Sequence, residues 1–81
     1  MTNEEAKVKI EKLKKMQLDG RYRSCPRCGI NLMDEKPTRN ALSRHADIYI
    51  CDTCGTQEAV LVYTKKSIPL TEWDFITTFF N

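Results

Sequence analysis

The sequence predicts a small α+β domain stabilised by a metal ion, and three observations support this fold class. The chain has 81 residues, and a domain this small buries only about 60% of its unfolded surface, so it often needs a metal, disulfides or oligomerisation. Two C-x-x-C-G motifs occupy residues 25–29 and 51–55, and helical patterns flank them. We therefore predict one domain over residues 1–81, with an N-terminal helix at 3–18, a zinc ribbon of two knuckles and short antiparallel strands at 21–66, and a short C-terminal helix at 71–80.

Composition limits the class of protein. Hydrophobic residues make up 41% of the chain and charged residues 30%, which is typical of a folded globular domain. No apolar run approaches the roughly 20 residues of a membrane helix, and the charged N-terminus lacks the apolar segment of a signal peptide. We therefore expect a cytoplasmic protein without a membrane partner, in a compartment where thiols stay reduced.

The N-terminal helix is predicted by its cap and its apolar stripe. Thr2 and Glu5 have the spacing of a capping box, and Gly20 is placed to end the helix in a left-handed conformation. Helical spacing puts four side chains on one narrow apolar face: Ala6, Ile10, Leu13 and Met16 or Gln17. We expect this face to pack on the rest of the domain.

The middle of the chain gives weaker signals. Residues 34–47 contain a proline and many turn formers and are predicted to be a loop, whereas alternation over 48–50 predicts a strand leading into Cys51. Residues 56–66 fit either a helix capped by Thr56 or a strand favoured by Val60, Val62 and Tyr63. The helix is slightly favoured.

The C-terminal segment is predicted to be a helix of about two turns. Thr71 through Asp74 fits a capping box after Pro69. The helix would carry an aromatic and aliphatic face composed of Trp73, Ile76, Phe79 and Phe80. We expect Trp73, Ile76 and Phe79 to pack against Ile10 and Leu13.

The four cysteines have the spacing of a metal site. Two residues between cysteines let both sulfurs of a turn face one ion, and a following glycine permits the positive φ of such a turn. Disulfides would require an oxidising compartment, a thioredoxin-like site uses one pair beside a βαβ unit, and iron–sulfur spacings usually cluster three cysteines. We therefore predict one structural Zn²⁺ held by the two pairs, Cys25, Cys28, Cys51 and Cys54.

Such a site would not be catalytic. Four thiolates fill the tetrahedral shell and leave no position for water or substrate. His45, the one histidine, is expected to be a surface or loop residue rather than a fifth ligand. We find no nucleophile–base pair, phosphate loop or carboxylate pair in the sequence. We therefore expect a protein that is not an enzyme and has no small-molecule substrate.

A longer pattern runs through the two motifs. The strings CPRCG, NALSRHADIYICDTCGTQEA and IPLTEWDF resemble small uncharacterised zinc-ribbon proteins of Gram-positive bacteria, their phages and mobile elements. The resemblance covers residues 22–75, and it implies a bacterial or phage setting in the host cytosol but no established activity. The N-terminal helix lies outside it, and VLVYTKK departs from the more polar stretch typical there.

The segment NALSRHAD within that pattern has two possible roles. In the structural role, Leu42 fills the core and Asp47 holds Arg44 or accepts backbone N–H groups. In the functional role, Ser43, Arg44 and His45 form a recognition patch. The structural role is favoured.

The first function that we consider is an adaptor or regulator in nucleic-acid transactions. Residues 21–47 carry six basic and three acidic side chains. Arginine suits phosphate contact and tyrosine can stack on a base, so the candidate contacts to DNA, RNA or a nucleic-acid-handling protein are Arg21, Tyr22, Arg23, Arg27 and Arg44. Against it, a four-thiolate zinc site would offset the formal net charge of +2.

The alternative is an inhibitor that docks on a host or defence protein. The tail EWDFITTFF is rich in aromatic residues, which are frequent anchors of protein interfaces. The candidate contacts are Trp73, Phe79 and Phe80. The competing interpretation is that these rings close the core against the N-terminal helix.

Overall fold

The computed structural model describes residues 1–80, and its secondary structure is mainly helical. In chain order the elements are helix α1 (Asn3–Lys12), helix α2 (Lys14–Leu18), a 3₁₀ turn (Pro37–Arg39), strand β1 (Ala41–Leu42), strand β2 (Tyr49–Ile50), helix α3 (Asp52–Tyr63), a second 3₁₀ turn (Leu70–Glu72) and helix α4 (Asp74–Phe79). Residues 1–80 therefore form a small α+β fold of four helices and one two-stranded sheet.

The predicted N-terminal helix is present but divided at Leu13. Thr2 and Glu5 form the predicted capping box, with the Thr2 hydroxyl accepting from the Glu5 N–H at 3.2 Å. Ala6, Ile10 and Leu13 are buried as expected. Gly20 has φ +75°, in the left-handed region that ends the helix.

Gln17, rather than Met16, continues the buried face. Its side chain is enclosed and makes two hydrogen bonds to the backbone of Tyr49, accepting from the N–H at 3.1 Å and donating to the carbonyl at 2.9 Å. The amide thus completes the free edge of β2 at this residue. These two bonds explain why a polar side chain occupies a core position.

The sheet joins β1 to β2 in antiparallel register, with Ala41 opposite Ile50 and Leu42 opposite Tyr49. The interpretation of residues 34–47 as loop was therefore incomplete, because β1 lies inside that range. Leu42 also does not fill the core, since half of its surface is exposed. A two-residue strand is too short to show the alternation that identifies strands in sequence.

Residues 56–66 are helical over most of their length, which confirms the favoured prediction. Helix α3 starts directly after Cys51, earlier than predicted, and ends at Tyr63. Its last turn projects from the domain, leaving Val60, Val62 and Tyr63 exposed.

The C-terminal helix is shorter than predicted, and Thr71 does not cap it. Trp73 is the N-cap residue. The N–H groups of Asp74 and Phe75 donate instead to the carbonyls of Arg27 and Pro26, at 3.1 and 2.9 Å. These backbone hydrogen bonds to the first C-x-x-C turn therefore satisfy N–H groups at the start of α4 in place of a capping side chain.

The core lies where the N-terminal helix, the sheet and the C-terminal segment meet. Helix α1 contacts both α4 and the 3₁₀ turn before it, and Trp73 and Ile76 are fully buried with Ile10 and Leu13. Phe79 is 61% exposed, so the expectation that it packs in this core was wrong. None of the helices in residues 1–80 has the length and apolar character needed to span a membrane.

Candidate metal centre

The fold brings the sulfur atoms of Cys25, Cys28, Cys51 and Cys54 together. All four lie within 4.8 Å of one another, with 3.7 Å between Sγ of Cys25 and Cys54 and 3.9 Å between Sγ of Cys28 and Cys51. A tetrahedron with Zn–S bonds of about 2.3 Å has edges of about 3.8 Å. The cysteines are not disulfide-bonded, and their spacing fits a single metal ion.

The first pair lies in a tight turn. Cys25 donates its N–H to the Asn31 carbonyl at 3.0 Å, and the Gly29 N–H donates to the Cys25 carbonyl at 2.8 Å. Gly29 has φ +71°, the conformation that the motif predicted. An isolated bridge between Ser24 and Leu32 closes the base of this turn.

The second pair lies at the start of a helix rather than in a matching knuckle. Cys51 is the N-cap residue of α3, and its sulfur accepts from the Cys54 N–H at 3.4 Å. The two-residue spacing here is that between the N-cap and the third helical position. The predicted ribbon of two mirrored knuckles is therefore replaced by one knuckle, one hairpin and one helix N-terminus.

Gly55 has a different role from Gly29. It lies in the first turn of α3 and does not have the positive φ predicted for it. A Cβ added at Gly55 would lie 2.6 Å from Cβ of Ala41. The glycine is needed because β1 passes close to the helix.

Several N–H groups point at the sulfurs and join the two halves of the site. The Cys51 N–H donates to Sγ of Cys25 at 3.3 Å, and Nδ2 of Asn31 donates to Sγ of Cys51 at 3.4 Å. Such donors orient metal-bound thiolates and disperse their charge.

The surroundings of the sulfurs shift the pKa values of Cys25, Cys28 and Cys54 in different directions. Burial would raise the pKa of Cys28, but hydrogen bonds from the N–H groups of Asn31 and Ile30 outweigh it and lower this pKa to about 7. Burial raises the pKa of Cys25 to about 11 and also raises the pKa of Cys54. A metal cation would supply the positive charge that lets four thiolates exist together.

Arg27 is not available for phosphate contact. Its side chain is only 4% exposed and lies between the first cysteine pair and α3, with Nε 3.8 Å from Oε2 of Glu58. Nη1 donates to the side-chain carbonyl of Gln57 at 2.5 Å. Arg27 must therefore be removed from the predicted nucleic-acid contacts, because the turn directs its side chain inward.

Glu58 is the site residue that sequence reasoning missed. It is 1% exposed, and its carboxylate accepts from the Ser43 hydroxyl at 2.7 Å and from the Arg44 N–H at 2.9 Å. A signal was present in the sequence, since Glu58 follows Cys54 by four residues and so shares its helix face. These bonds favour the structural role of the segment around Ser43.

The other residues of that segment differ from expectation. Asp47 accepts from Nζ of Lys14 at 2.6 Å and does not hold Arg44. Arg44 stays exposed while donating to the Gly55 carbonyl at 3.3 Å. His45 is half-buried, outside the cysteine cluster, and donates its N–H to the Ser43 hydroxyl.

Tyr22, one of the predicted nucleic-acid contacts, lies on the same face of the molecule as part of the aromatic C-terminal tail. The rings of Tyr22 and Phe75 meet edge to face with centroids 6.0 Å apart, and Phe75 contacts Phe79 and Phe80 at 5.3 and 5.6 Å. Nζ of Lys9 lies 4.7 Å from the Phe80 centroid. An adjacent groove is lined by Lys9, Lys12, Leu13, Met16, Phe75 and Phe80.

We call this face the aromatic–lysine surface, defined by Tyr22, Phe75, Phe79, Phe80, Lys9 and Lys12. The exposed Arg21 follows α2 and immediately precedes Tyr22, and it pairs with Asp19 at 2.9 Å. Arg23 instead donates to the Met33 carbonyl at 3.3 Å and lines a separate polar cleft with Arg39. Trp73 is buried, so of the three predicted protein contacts only Phe79 and Phe80 are exposed.

Comparison of the chain with protein-family models, with curated proteins and with solved structures finds no match. The geometry of the cysteine cluster and of the aromatic–lysine surface is therefore the basis for assigning a function.

Proposed function

We propose that the protein is a non-enzymatic structural-zinc protein that acts in nucleic-acid transactions by binding single-stranded DNA or RNA through the aromatic–lysine surface. The zinc supports the fold and takes no part in a reaction. This assignment keeps the nucleic-acid role expected from the sequence but moves its binding surface.

The choice of zinc follows from the donor set. Four thiolates at tetrahedral spacing suit Zn²⁺ and close its coordination shell, as in structural sites. An iron ion could occupy similar geometry, so metal analysis of the purified protein is the direct test. Zinc should be present at about one ion per chain.

The contact between Tyr22 and Phe75 carries the nucleic-acid proposal. Through this contact the ring of Tyr22, which follows Arg21 in the chain, meets the aromatic rings of the C-terminal tail. The last of these rings, Phe80, lies next to Nζ of Lys9. Proteins that bind single strands combine aromatic rings, on which bases stack, with basic side chains along the phosphate backbone. Both are present here on one face.

The exposure of these groups also fits a stacking surface. Phe79 and Phe80 are 61% and 41% exposed, which leaves ring area for a base. Burial, with a smaller contribution from the Asp74 carboxylate, raises the pKa of Tyr22 above its ordinary value. A phenol is neutral at physiological pH even at its ordinary pKa of about 10, so Tyr22 does not repel phosphate.

The test is a salt titration of binding to a fluorescent single-stranded oligonucleotide. Lys9 and Lys12 of this surface, together with Arg21 next to Tyr22 in the chain, would neutralise about three phosphates, which implies a log–log salt slope of about −2.1. Affinity should then fall about twentyfold between 50 and 200 mM salt.

Matched variants separate stacking from charge. Phe79→Ala should weaken binding about 5- to 150-fold, because one base–aromatic stack contributes about 1–3 kcal/mol. Tyr63→Ala is its control, since Tyr63 is an 89% exposed ring on α3, outside the surface. Lys12→Ala should reduce the slope by about 0.7, and the exposed Lys66 provides the control Lys66→Ala.

Absence of binding at 50 mM salt with micromolar protein would refute the nucleic-acid proposal. Equal losses in Phe79→Ala and Tyr63→Ala would refute the assigned surface. In the first case, docking on a protein through Phe79 and Phe80 becomes the better account, because exposed aromatic rings also anchor protein interfaces.

A further inference from the structure

A buried charged pair links the two halves of the metal site. Arg27 belongs to the first cysteine turn, between Cys25 and Cys28, whereas Glu58 lies one helical turn after Cys54 on α3. Their side chains are 4% and 1% exposed, and Nε of Arg27 lies 3.8 Å from Oε2 of Glu58. Cys54 and Glu58 are buried on the same face of α3, four residues apart, so the guanidinium lies on the side of the helix that carries the Cys54 sulfur.

The carboxylate of this pair is better satisfied than the guanidinium. Glu58 accepts hydrogen bonds from the Ser43 hydroxyl and the Arg44 N–H. Nη2 of Arg27 is buried and has no hydrogen-bond partner among residues 1–80. Glu58 supplies one compensating anion, but it lies at 3.8 Å and Nη2 has no acceptor within the described residues, so this buried guanidinium is incompletely satisfied and can interact with a second anionic partner.

The filled metal site would be that partner. Four thiolates and one Zn²⁺ carry a formal charge of −2, mostly on sulfur. Hydrogen bonds and charges just outside the ligands tune such sites, and their removal typically costs 10–100-fold in metal affinity. The position of Arg27 beside Cys54 fits this role.

We propose that Arg27 is a positioning residue for the metal, because its guanidinium holds a fixed positive charge near the Cys54 thiolate. In this proposal Glu58 partly neutralises the guanidinium and so sets how strongly the positive charge acts on the sulfur. The inference rests on the proposed tetrathiolate zinc site. It accounts for a buried arginine within the first C-x-x-C motif.

Cobalt(II) substitution provides a readout that packing alone would not move. A positive charge near a thiolate lowers the energy of the sulfur lone pairs and so raises the energy of the sulfur-to-cobalt charge-transfer band. Arg27→Met, which keeps the length of the side chain without its charge, should shift this band to lower energy. Glu58→Gln, which leaves the charge of Arg27 less compensated, should shift it to higher energy.

Zinc retention gives a second measurement. Transfer of zinc from the full-length protein to a chromogenic chelator should be about 10-fold faster or more in Arg27→Met. Arg27→Lys, which retains a positive charge, should recover part of the difference. Lys66→Met is the control, because Lys66 is an exposed cation beyond the end of α3 and outside the buried pair, and it should leave both the band and the transfer rate unchanged.

The wild-type protein separates the two levels of the argument. If it binds no cobalt with the spectrum of a tetrathiolate site, the metal proposal fails, and the inference about Arg27 fails with it. If it binds cobalt normally but the band shifts in neither variant, or in the same direction in both, only the role of Arg27 and Glu58 is refuted. Should Arg27→Met fail to fold, Glu58→Gln decides the matter by the sign of its shift.

Discussion

The two cysteine pairs share the motif C-x-x-C-G, yet they lie in different backbone structures. In the first pair, Gly29 closes a turn with φ +71°. In the second, Cys51 caps a helix and Gly55 makes room for Ala41. The same five-residue pattern can thus place two sulfurs at one metal by two routes, and its glycine serves conformation in one case and close approach in the other.

The pairs also differ in what supports them. The first turn receives backbone bonds from Asp74 and Phe75, far along the chain, and α4 is held in place through the buried Trp73. The second pair is supported by α3 itself and by the adjacent hairpin. We therefore expect the first pair to depend on the C-terminal segment more strongly than the second.

Removal of the proposed zinc should have the largest effect, because it abolishes the feature common to both pairs. Binding of a structural zinc contributes on the order of 10 kcal/mol, more than a domain of this size can lose. Chelation under reducing conditions should abolish cooperative thermal unfolding as followed by circular dichroism.

Cys51→Ser tests whether the ligand or the helix cap matters more at the second pair. Serine caps helices well, so a loss of folding like that caused by chelation would show that coordination dominates. If the protein remains fully folded after chelation has removed the metal, the prediction that folding depends on metal binding is wrong.

Trp73→Ala should have the next largest effect and should distinguish the two pairs. Truncation of a fully buried aromatic side chain costs about 3–5 kcal/mol, measurable by denaturant unfolding. Because α4 braces the first turn, iodoacetamide should then label Cys25 and Cys28 before Cys51 and Cys54 in zinc-loaded protein.

The control for this variant is Phe79→Ala, since Phe79 is largely exposed and should change stability by less than about 0.5 kcal/mol. Simultaneous labelling of all four cysteines in Trp73→Ala would show that the two pairs share their support.

The two glycines should give the smallest effects and the sharpest contrast. Gly29→Ala would be strained at positive φ and would overlap the Asp74 carboxylate, with a cost of about 1–3 kcal/mol for the backbone alone. Gly55→Ala overpacks against Ala41 by about 1–3 kcal/mol but recovers about 1 kcal/mol of helix propensity. Urea unfolding of both variants measures the loss of unfolding free energy in each and so shows which substitution is more destabilising.

A double-mutant cycle distinguishes the steric overlap expected in Gly55→Ala from the backbone strain expected in Gly29→Ala. Ala41→Gly removes the methyl group that Gly55→Ala would meet, so the double variant should regain most of the lost stability. The same substitution should not rescue Gly29→Ala. Rescue of both or of neither would mean that the two glycines do not differ as the structure indicates.

Sequence alone could predict the elements that depend on neighbouring residues. The capping box of Thr2 and Glu5 and the left-handed Gly29 formed as expected, because hydrogen bonds and φ preferences over three to five residues determine them. The four cysteines could be grouped from spacing for the same reason. In contrast, β1 was missed, since two residues are too few to show a period.

Residues whose roles depend on distant partners could not be assigned in this way. Sequence leaves Met16 and Gln17 equivalent at the edge of the N-terminal stripe, and only the nearby backbone of Tyr49 selects Gln17. Likewise, nothing local distinguishes the buried Arg27 from the exposed Arg21 in a basic stretch.

Local patterns in the chain were enough to predict the grouping of the cysteines, the helices at both ends and the small α+β class, because periodicity, capping and ligand spacing are local properties. The tertiary structure decided that the second pair starts a helix beside a hairpin, that Arg27 faces Glu58 and that Tyr22 meets Phe75. The contacts of Arg27 with Glu58 and of Tyr22 with Phe75 join residues 30 or more positions apart. They are decided by how whole elements pack, since an exposed arginine and a buried one cannot be told apart in sequence until the carboxylate beside the buried one is known.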